Sequence, residues 1–283
     1  MISFWDDIKK RYKTFTSSQR RIADYLFDNP SGVLLFNATQ IANKANVSEA
    51  TLTRFITVLG YSGFSEFKRN ISQKILQEHS VTKRLTKSAK TLRGGNSVFT
   101  KIIKGDIENL SDLPANISDV LFKTAVSKIA SGKTIYVVGL RSSFTCAFYL
   151  AFSLRFFMNS VRLVTPNVAD LPDQFLNAGS KDVLVAISFR RYTHATVRIA
   201  ELAKKKGVYI IAITNNLLSP LATLADLTLI AETDIPTFTQ SFTAPISLIT
   251  AMITALSLKN RKRVMAALEE LERNHELFET FYK

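Results

Sequence analysis

Residues 182–214, DVLVAISFRRYTHATVRIAELAKKKGVYIIAIT, hold one complete strand–helix–strand unit. Asp182–Ser188 and Val208–Thr214 are short, nearly continuous runs of apolar and β-branched residues, and Thr193–Lys206 between them has the spacing of an amphipathic helix. Strands without polar alternation are buried on both faces, the condition of a parallel sheet covered by helices. The alternation extends outward from this unit. Thr134–Val138, Val161–Thr165 and Asp226–Ala231 are further strand candidates, with helices near Ser143–Met158, Ala169–Asn177 and Ser219–Leu224. From about residue 115 the chain therefore predicts an α/β domain on a five-stranded parallel sheet.

Ligands of such sheets bind beyond the carboxyl ends of the strands, so the loops there decide the chemistry. After the first strand come Gly139-Leu140-Arg141-Ser142-Ser143. Glycine permits a tight turn, and hydroxyls at a helix start hold an anion beside unpaired backbone N–H groups. Gly139, Arg141, Ser142 and Ser143 are candidate ligand residues. After the third strand, Ser188-Phe189-Arg190-Arg191-Tyr192-Thr193 again leads into a helix. Arg190 and Arg191 suit a phosphate or carboxylate clamp, flanked by Ser188 and Thr193; a solvated arginine pair is the plainer alternative. No GxGxxG, P-loop or Ser–His–Asp arrangement occurs. His194 and Glu232 follow the third and fifth strands and could serve an isomerase. A lone histidine at a helix start is more often a cap or surface group, so no catalytic residue is assigned. Cys146, within an apolar helix, reads as packing.

The N-terminal part has a different pattern. Arg20–Phe27 is helical, with Ile22, Tyr25 and Leu26 on one face, and ends at Asn29-Pro30. Asn37 caps a second helix and Gln40 completes a capping box. Ile41 and Ala42 face inward and the helix stops near Ala45. Asn46 stands where a left-handed residue is wanted. Val47 plugs the turn, and Ser48 caps a third helix, Glu49–Leu59, closed by Gly60. This is helix-turn-helix spacing. Leu52, Phe55, Ile56 and Leu59 form the buried stripe. Ser48, Glu49, Ala50, Thr51, Thr53 and Arg54 lie on or near the outward, N-terminal side, where short hydroxyls suit phosphates and thymine methyls and Arg54 suits guanine or phosphate. An ordinary capped helix hairpin shares this spacing.

Charge separates the two parts. The 283 residues carry 37 basic and 23 acidic side chains, a net +14. Residues 1–93 hold 16 and 7 of these, a balance of +9, whereas residues 94–283 hold 21 and 16, only +5. A positive field concentrated on the smaller part points to a polyanion, nucleic acid or an anionic membrane. A hydrophobic content of 46% with 10 Gly and 7 Pro excludes disordered and fibrous classes. One cysteine excludes an intramolecular disulfide and cysteine-based metal sites, and His79, His194 and His275 are far apart. No metal or cofactor is expected. The start, MISFWDDIKKR, lacks the apolar core of a signal peptide, and a reducing cytoplasm fits.

Between Asp234 and Lys259 lie 24 uncharged residues, but nine are Ser, Thr or Gln, and Pro236 and Pro245 interrupt the run. Ala244–Leu258 is therefore expected as a buried helix at a subunit interface and not as a membrane span. Residues 78–114 include TKRLTKSAKTLRGGNS, whose basic, Ser/Thr-rich character and Gly94-Gly95 mark a linker or hinge, with a helix from Val98. Arg261–Phe281 reads as a C-terminal helix with Leu268, Leu271 and Phe278 on one side.

FTSSQRRIADYLFDNP, then NATQIANKANVSEATLTRFITVLGYSGFSEFKRNI, resembles the N-terminal domain of the RpiR/MurR-type bacterial transcriptional regulators over residues 1 to about 77. The resemblance implies that Ser48–Arg54 read operator DNA and that Lys68 and Arg69 touch backbone phosphate. VVGLRSSF and VLVAISFRRYTHATVRIAELAKKKGVYIIAITNNLLSPLATLAD are similar to a sugar isomerase (SIS) domain over roughly residues 115–260, with IAITN-x-x-x-SPLA-x-x-AD the most specific part. That module implies a three-layer α/β fold in flavodoxin-like strand order, binding phosphosugars. Two departures stand out. Arg141 occupies a position where a second glycine is common in the family. Arg190 and Arg191 replace the second serine and the glycine of the usual Ser-x-Ser-Gly-x-Thr cradle, which leaves a phosphosugar or a sugar acid open.

The expected organisation is a helix-turn-helix domain over 1–77, a basic linker over 78–114, a SIS domain over 115–260 and a C-terminal helix over 261–283. The expected partners are double-stranded operator DNA, a small anionic sugar effector and a second copy of the chain, as a dimer or tetramer, with no membrane. The expected function is a transcriptional regulator of carbohydrate catabolism. A sugar-phosphate isomerase with a basic appendage is the alternative from another class, and a membrane-surface protein is a third.

Overall fold

The computed structural model describes residues 4–28, 33, 36–78, 81–92, 97–165, 171–217, 219–259 and 261–282. They fall into two compact units, Met1–Arg93 and Gly94–Lys283. The first is helical: α1 Phe4–Arg11, α2 Ser17–Asp28, α3 Ala38–Lys44, α4 Glu49–Val58, α5 Phe64–Glu78 and α6 Val81–Leu92. Its core is built from one face of each short helix. Ile22, Ala23 and Leu26 of α2 are buried with Ile41 and Ala42 of α3, Leu52, Phe55 and Ile56 of α4, and Phe67 and Ile71 of α5. Each fully buried Leu, Ile or Phe contributes about 1.5–3 kcal/mol. Phe15 meets Phe55 edge-on with ring centres 5.2 Å apart.

The second unit contains α7 Val98–Asn116, α8 Asp119–Ser131, β1 Ile135–Val138, α9 Phe144–Arg155, β2 Val161–Val164, β3 Val183–Ile187, α10 His194–Lys205, β4 Tyr209–Thr214, β5 Leu227–Ile230, α11 Thr243–Lys259 and α12 Arg261–Leu277. The five strands are parallel in the order β2-β1-β3-β4-β5. Alternate residues serve opposite faces. Ile135, Val137 and Val185 pack with α8, α9 and α11 on one side. Tyr136, Val138 and Ala186 pack with Ile199 and Ala203 of α10 on the other. All five expected strands form, trimmed by one residue or so at their ends.

Three expectations are corrected. Within Ala169–Asn177 the described residues form only a short 3-10 turn, Asp173–Phe175, whose Phe175 stacks on Tyr136 at 4.6 Å; residues 169 and 170 lie outside the described set. Ser219–Leu224 is a pair of turns and not a helix. Its hydroxyls compete for the backbone: Ser219 Oγ accepts from the Ala222 N–H at 3.1 Å and Thr223 Oγ1 donates to the Pro220 carbonyl at 2.9 Å. Residues 78–114 are no simple spacer: α7 is the helix expected from Val98, and α6 adds a helix that the linker reading lacks. α7 belongs to the second unit, which begins at Gly94 instead of near 115. It lies against α11, Asn109 Nδ2 donates to the Asp234 carbonyl at 3.2 Å, and Gly105 sits so close to Ile235 that a Cβ there would be 3.0 Å from it. Gly94-Gly95, Asn29-Pro30 and His79 lie outside the described residues.

The uncharged stretch forms α11, whose Ala244, Leu248, Ile249, Met252 and Leu256 are buried in this unit's own core. Among the described residues no helix is long and apolar enough to cross a membrane.

Candidate functional site

In the first unit the helix-turn-helix is set by caps. Asn37 accepts the Gln40 N–H at 2.8 Å while Gln40 Oε1 accepts the Asn37 N–H at 3.0 Å, a complete capping box. Asn46 takes the left-handed position with φ 53°, and the Val47 N–H closes the turn on the Ala42 carbonyl at 2.9 Å. Ser48 caps α4 by accepting the Thr51 N–H at 3.2 Å. Ser48, Glu49, Ala50, Thr53 and Arg54 are exposed and Thr51 is half-buried.

The face is not uniform in role. Glu49 Oε2 accepts from Thr39 Oγ1 at 2.7 Å, so this carboxylate ties α3 to α4. Thr53 Oγ1 donates to the Glu49 carbonyl at 3.0 Å. Lys68 is drawn inward: its ammonium donates to the Phe36 carbonyl at 3.0 Å, and burial lowers its pKa from the usual lysine value. Arg69 is exposed. Sequence reasoning missed Arg21, which with Ser18, Asn43 and Asn46 lines a polar depression beside Ser48 and Thr51. Arg21 sits on a helix read only for its apolar face.

In the second unit the loops after β1 and β3 leave the sheet side by side. Val138 pairs with Ala186, and β1 is flanked by β2 on one side and β3 on the other, so these loops flank the topological switch. Gly139 is required there, since a Cβ would lie 2.6 Å from the Ser143 carbonyl oxygen and 3.0 Å from Ala147 Cβ. Ser143 and Ser188 are buried, whereas Arg141, Ser142 and Arg191 are exposed and Arg190 and Thr193 are half-buried. Ser188 Oγ accepts the Thr193 N–H at 3.3 Å.

Two backbone features mark these loops. Arg141 has φ 56° and Arg191 has φ 63°, left-handed conformations that cost a non-glycine residue about 1–2 kcal/mol. In addition, α9 and α10 begin without a side-chain cap on Ser143 or Thr193. By contrast α3, α4, α7 and α8 are all capped, by Asn37, Ser48, Ser97 and Ser118. α9 continues a 3-10 turn, Arg141–Ser143, whose Phe144 N–H bonds back to the Arg141 carbonyl, whereas α10 starts directly after Thr193 with the positive end of its dipole at the loop that carries Arg190 and Arg191.

Neighbouring loops complete the rim. Tyr192 donates from its hydroxyl to Asn215 Oδ1 at 3.2 Å, and burial pushes its pKa up to about 12. Gln240 Nε2 donates to the Arg190 carbonyl at 3.0 Å. Burial raises the Glu232 pKa, Arg190 opposes the rise and Asp234 adds to it, so Glu232 faces Arg190 electrostatically. Asn215, Tyr192 and Gln240 were not singled out from sequence; only their position just beyond strands or loops could have flagged them. His194 is exposed at the start of α10. Cys146 is fully buried, with its pKa raised to about 12 by burial, as packing requires.

Residues 3–78 match the helix-turn-helix domain of the rpiR family, and residues 128–255 match the SIS domain. The chain belongs to the RpiR family of helix-turn-helix regulators. It is 26% identical over 275 residues to the HTH-type transcriptional regulator HexR of Escherichia coli, covering 94% of each chain. An HTH-type regulator of Haemophilus influenzae is 25% identical over 220 residues, 77% of this chain and 76% of that one. Among solved structures, the sugar isomerase domain of an RpiR transcription factor from Sphaerobacter thermophilus superposes with TM-score 0.60 at 25% identity, covering 62% of this chain and 98% of that one. NanR of Vibrio vulnificus, solved with ManNAc-6P, has TM-score 0.65 at 19% identity, covering 97% and 99%. An RpiR-family chain of this build couples a DNA-binding domain to a SIS module.

Proposed function

We propose that this RpiR-family regulator works in the cytoplasm as a homodimer or tetramer, binds a two-fold symmetric operator through α4, and responds to a small sugar phosphate held between the β1 and β3 loops. Carbohydrate catabolism genes are the natural targets of such a sensor. One observation carries the effector site: the loops after β1 and β3 leave a parallel sheet side by side at its topological switch, with Arg141 on one and Arg190 and Arg191 on the other, and Arg141 and Arg191 held in left-handed conformations. The sugar phosphate bound by NanR, a protein of similar fold, supports that ligand class over a sugar acid. Gly139, Ser142, Ser143, Ser188 and Thr193 line the loops, and Tyr192, Asn215 and Gln240 fix them. On the DNA side, Ser48, Ala50, Thr51 and Arg54 read the groove, while Asn37, Arg21 and Arg69 meet phosphates. Glu49, Thr53 and Lys68 hold the reading face in place instead of touching DNA. No catalytic residue is assigned, because His194 is exposed and the charge of Glu232 is opposed by that of Arg190.

The test is binding of the full chain to DNA from its own promoter region against random DNA of equal length, across a salt series. Preference for the promoter DNA, lost in Thr51→Ala/Arg54→Ala with an unchanged melting curve, is expected. Equal affinity for both DNAs contradicts the operator role. Turnover of a sugar phosphate that disappears in His194→Ala would instead favour an isomerase.

A further inference from the structure

The end of the SIS domain opposite the effector loops contains a cavity of about 410 Å³, within the size range of small-molecule sites. Its floor is apolar: Ile135 at the start of β1, Phe157 after α9, Leu256 on α11 and Val264 on α12. Lys133, Lys259 and Arg263 stand around it. The effector loops leave the far ends of the strands, so the two sites are a strand's length apart, roughly 13 Å for the four residues of β1 at about 3.3 Å each.

The charge here is unbalanced in a way the fold does not need. α12 opens with Arg261-Lys262-Arg263 and has no acidic residue in its first turn. Cations at the positive end of a helix dipole are disfavoured, where an anion is stabilised. Among the described residues, neither Lys133 nor Arg263 has a carboxylate partner. Lys259 donates to Ser127 Oγ at 3.1 Å, which leaves two of its N–H donors for another acceptor. Three cationic side chains from three separate segments therefore surround an apolar floor.

We propose that this cavity is a second binding site, for a small organic anion of more than one negative charge, a polycarboxylate or a phosphate ester, which bridges α12 to the body of the domain. The multiple charge answers the three cations, and a compact carbon body covers Ile135, Phe157, Leu256 and Val264. Such a site reports on a metabolite other than the one sensed at the β1–β3 loops, and it does not depend on the effector reading.

The experiment is calorimetric titration of citrate and of glycerol 3-phosphate into the full chain, at ionic strength held constant with sodium chloride. At least one of the two probes is expected to bind. That binding should weaken by about tenfold or more in Lys133→Gln/Arg263→Gln, return in Lys133→Arg/Arg263→Lys, and persist in Arg190→Gln/Arg191→Gln. All four cationic positions are exposed or half-buried, so the variants should keep the wild-type melting curve. Equal affinity in Lys133→Gln/Arg263→Gln overturns the proposal. So does binding lost only in the Arg190/Arg191 variant, which places the anion in the effector site. Absence of binding by both probes overturns it as well.

Discussion

In the DNA-binding unit the turn into the recognition helix places Asn46 at φ 53°, and Ser48 then caps the helix. In the SIS unit the loops into α9 and α10 place Arg141 and Arg191 at φ 56° and 63°, and neither helix receives a side-chain cap. Asparagine tolerates the left-handed region through short local hydrogen bonds; arginine has no such compensation. The first pair of choices is what stability alone would select. The second retains backbone strain at two arginines, the arrangement expected where a ligand completes the structure.

Gly139→Ala should produce the largest change, since its Cβ would meet backbone at 2.6 Å. We expect a loss of about 1–3 kcal/mol in denaturant unfolding, with the effector loop displaced. Cap removal sharpens the contrast next. Asn37→Ala and Ser48→Ala should each cost about 1 kcal/mol, whereas Thr193→Ala, where no cap bond exists, should leave the unfolding midpoint nearly unchanged. A Thr193→Ala loss equal to that of Ser48→Ala would erase the distinction.

Relief of strain is smaller. Arg191→Gly should raise stability by up to about 1 kcal/mol while abolishing the effector response, and Asn46→Gly should shift stability much less. A destabilised Arg191→Gly would mean that the arginine serves the fold. The smallest effect is electrostatic. Because burial raises the Glu232 pKa in the folded state, its ionised form costs stability above the ordinary value of 4.5. Glu232→Gln should therefore melt higher than wild type at pH 7, and the gap should close as pH falls below 4.5, where both side chains are neutral.

The strands were legible because their sequences are almost wholly apolar, and a parallel sheet buried on both faces allows little else. The caps Asn37 and Ser48 were legible because the side chain that makes the bond is the one that names it. The crossover between β4 and β5 was not, since Ser219, Pro220 and Thr223 form turns through local bonds that a hydrophobic pattern does not record. The helix from Val98 was legible, but the basic stretch after residue 78 concealed α6 because its charges hid a helical period. For the effector site, the loops were visible as strand ends. Tyr192 meets Asn215, and Gln240 meets Arg190, only through contacts between loops, of 23 residues' separation in the first case and 50 in the second. The inward turn of Lys68 onto the Phe36 carbonyl was likewise invisible.

Control of DNA affinity by an anion held at Arg190 and Arg191 is tested most directly by measuring operator affinity of the full chain with and without a panel of hexose 6-phosphates and hexuronic acids, for wild type and for Arg190→Ala/Arg191→Ala. At least one phosphate ester should shift wild-type affinity by about fivefold or more. The variant should bind the operator as wild type does in the absence of ligand and show no shift. A variant that keeps the full response would contradict the account.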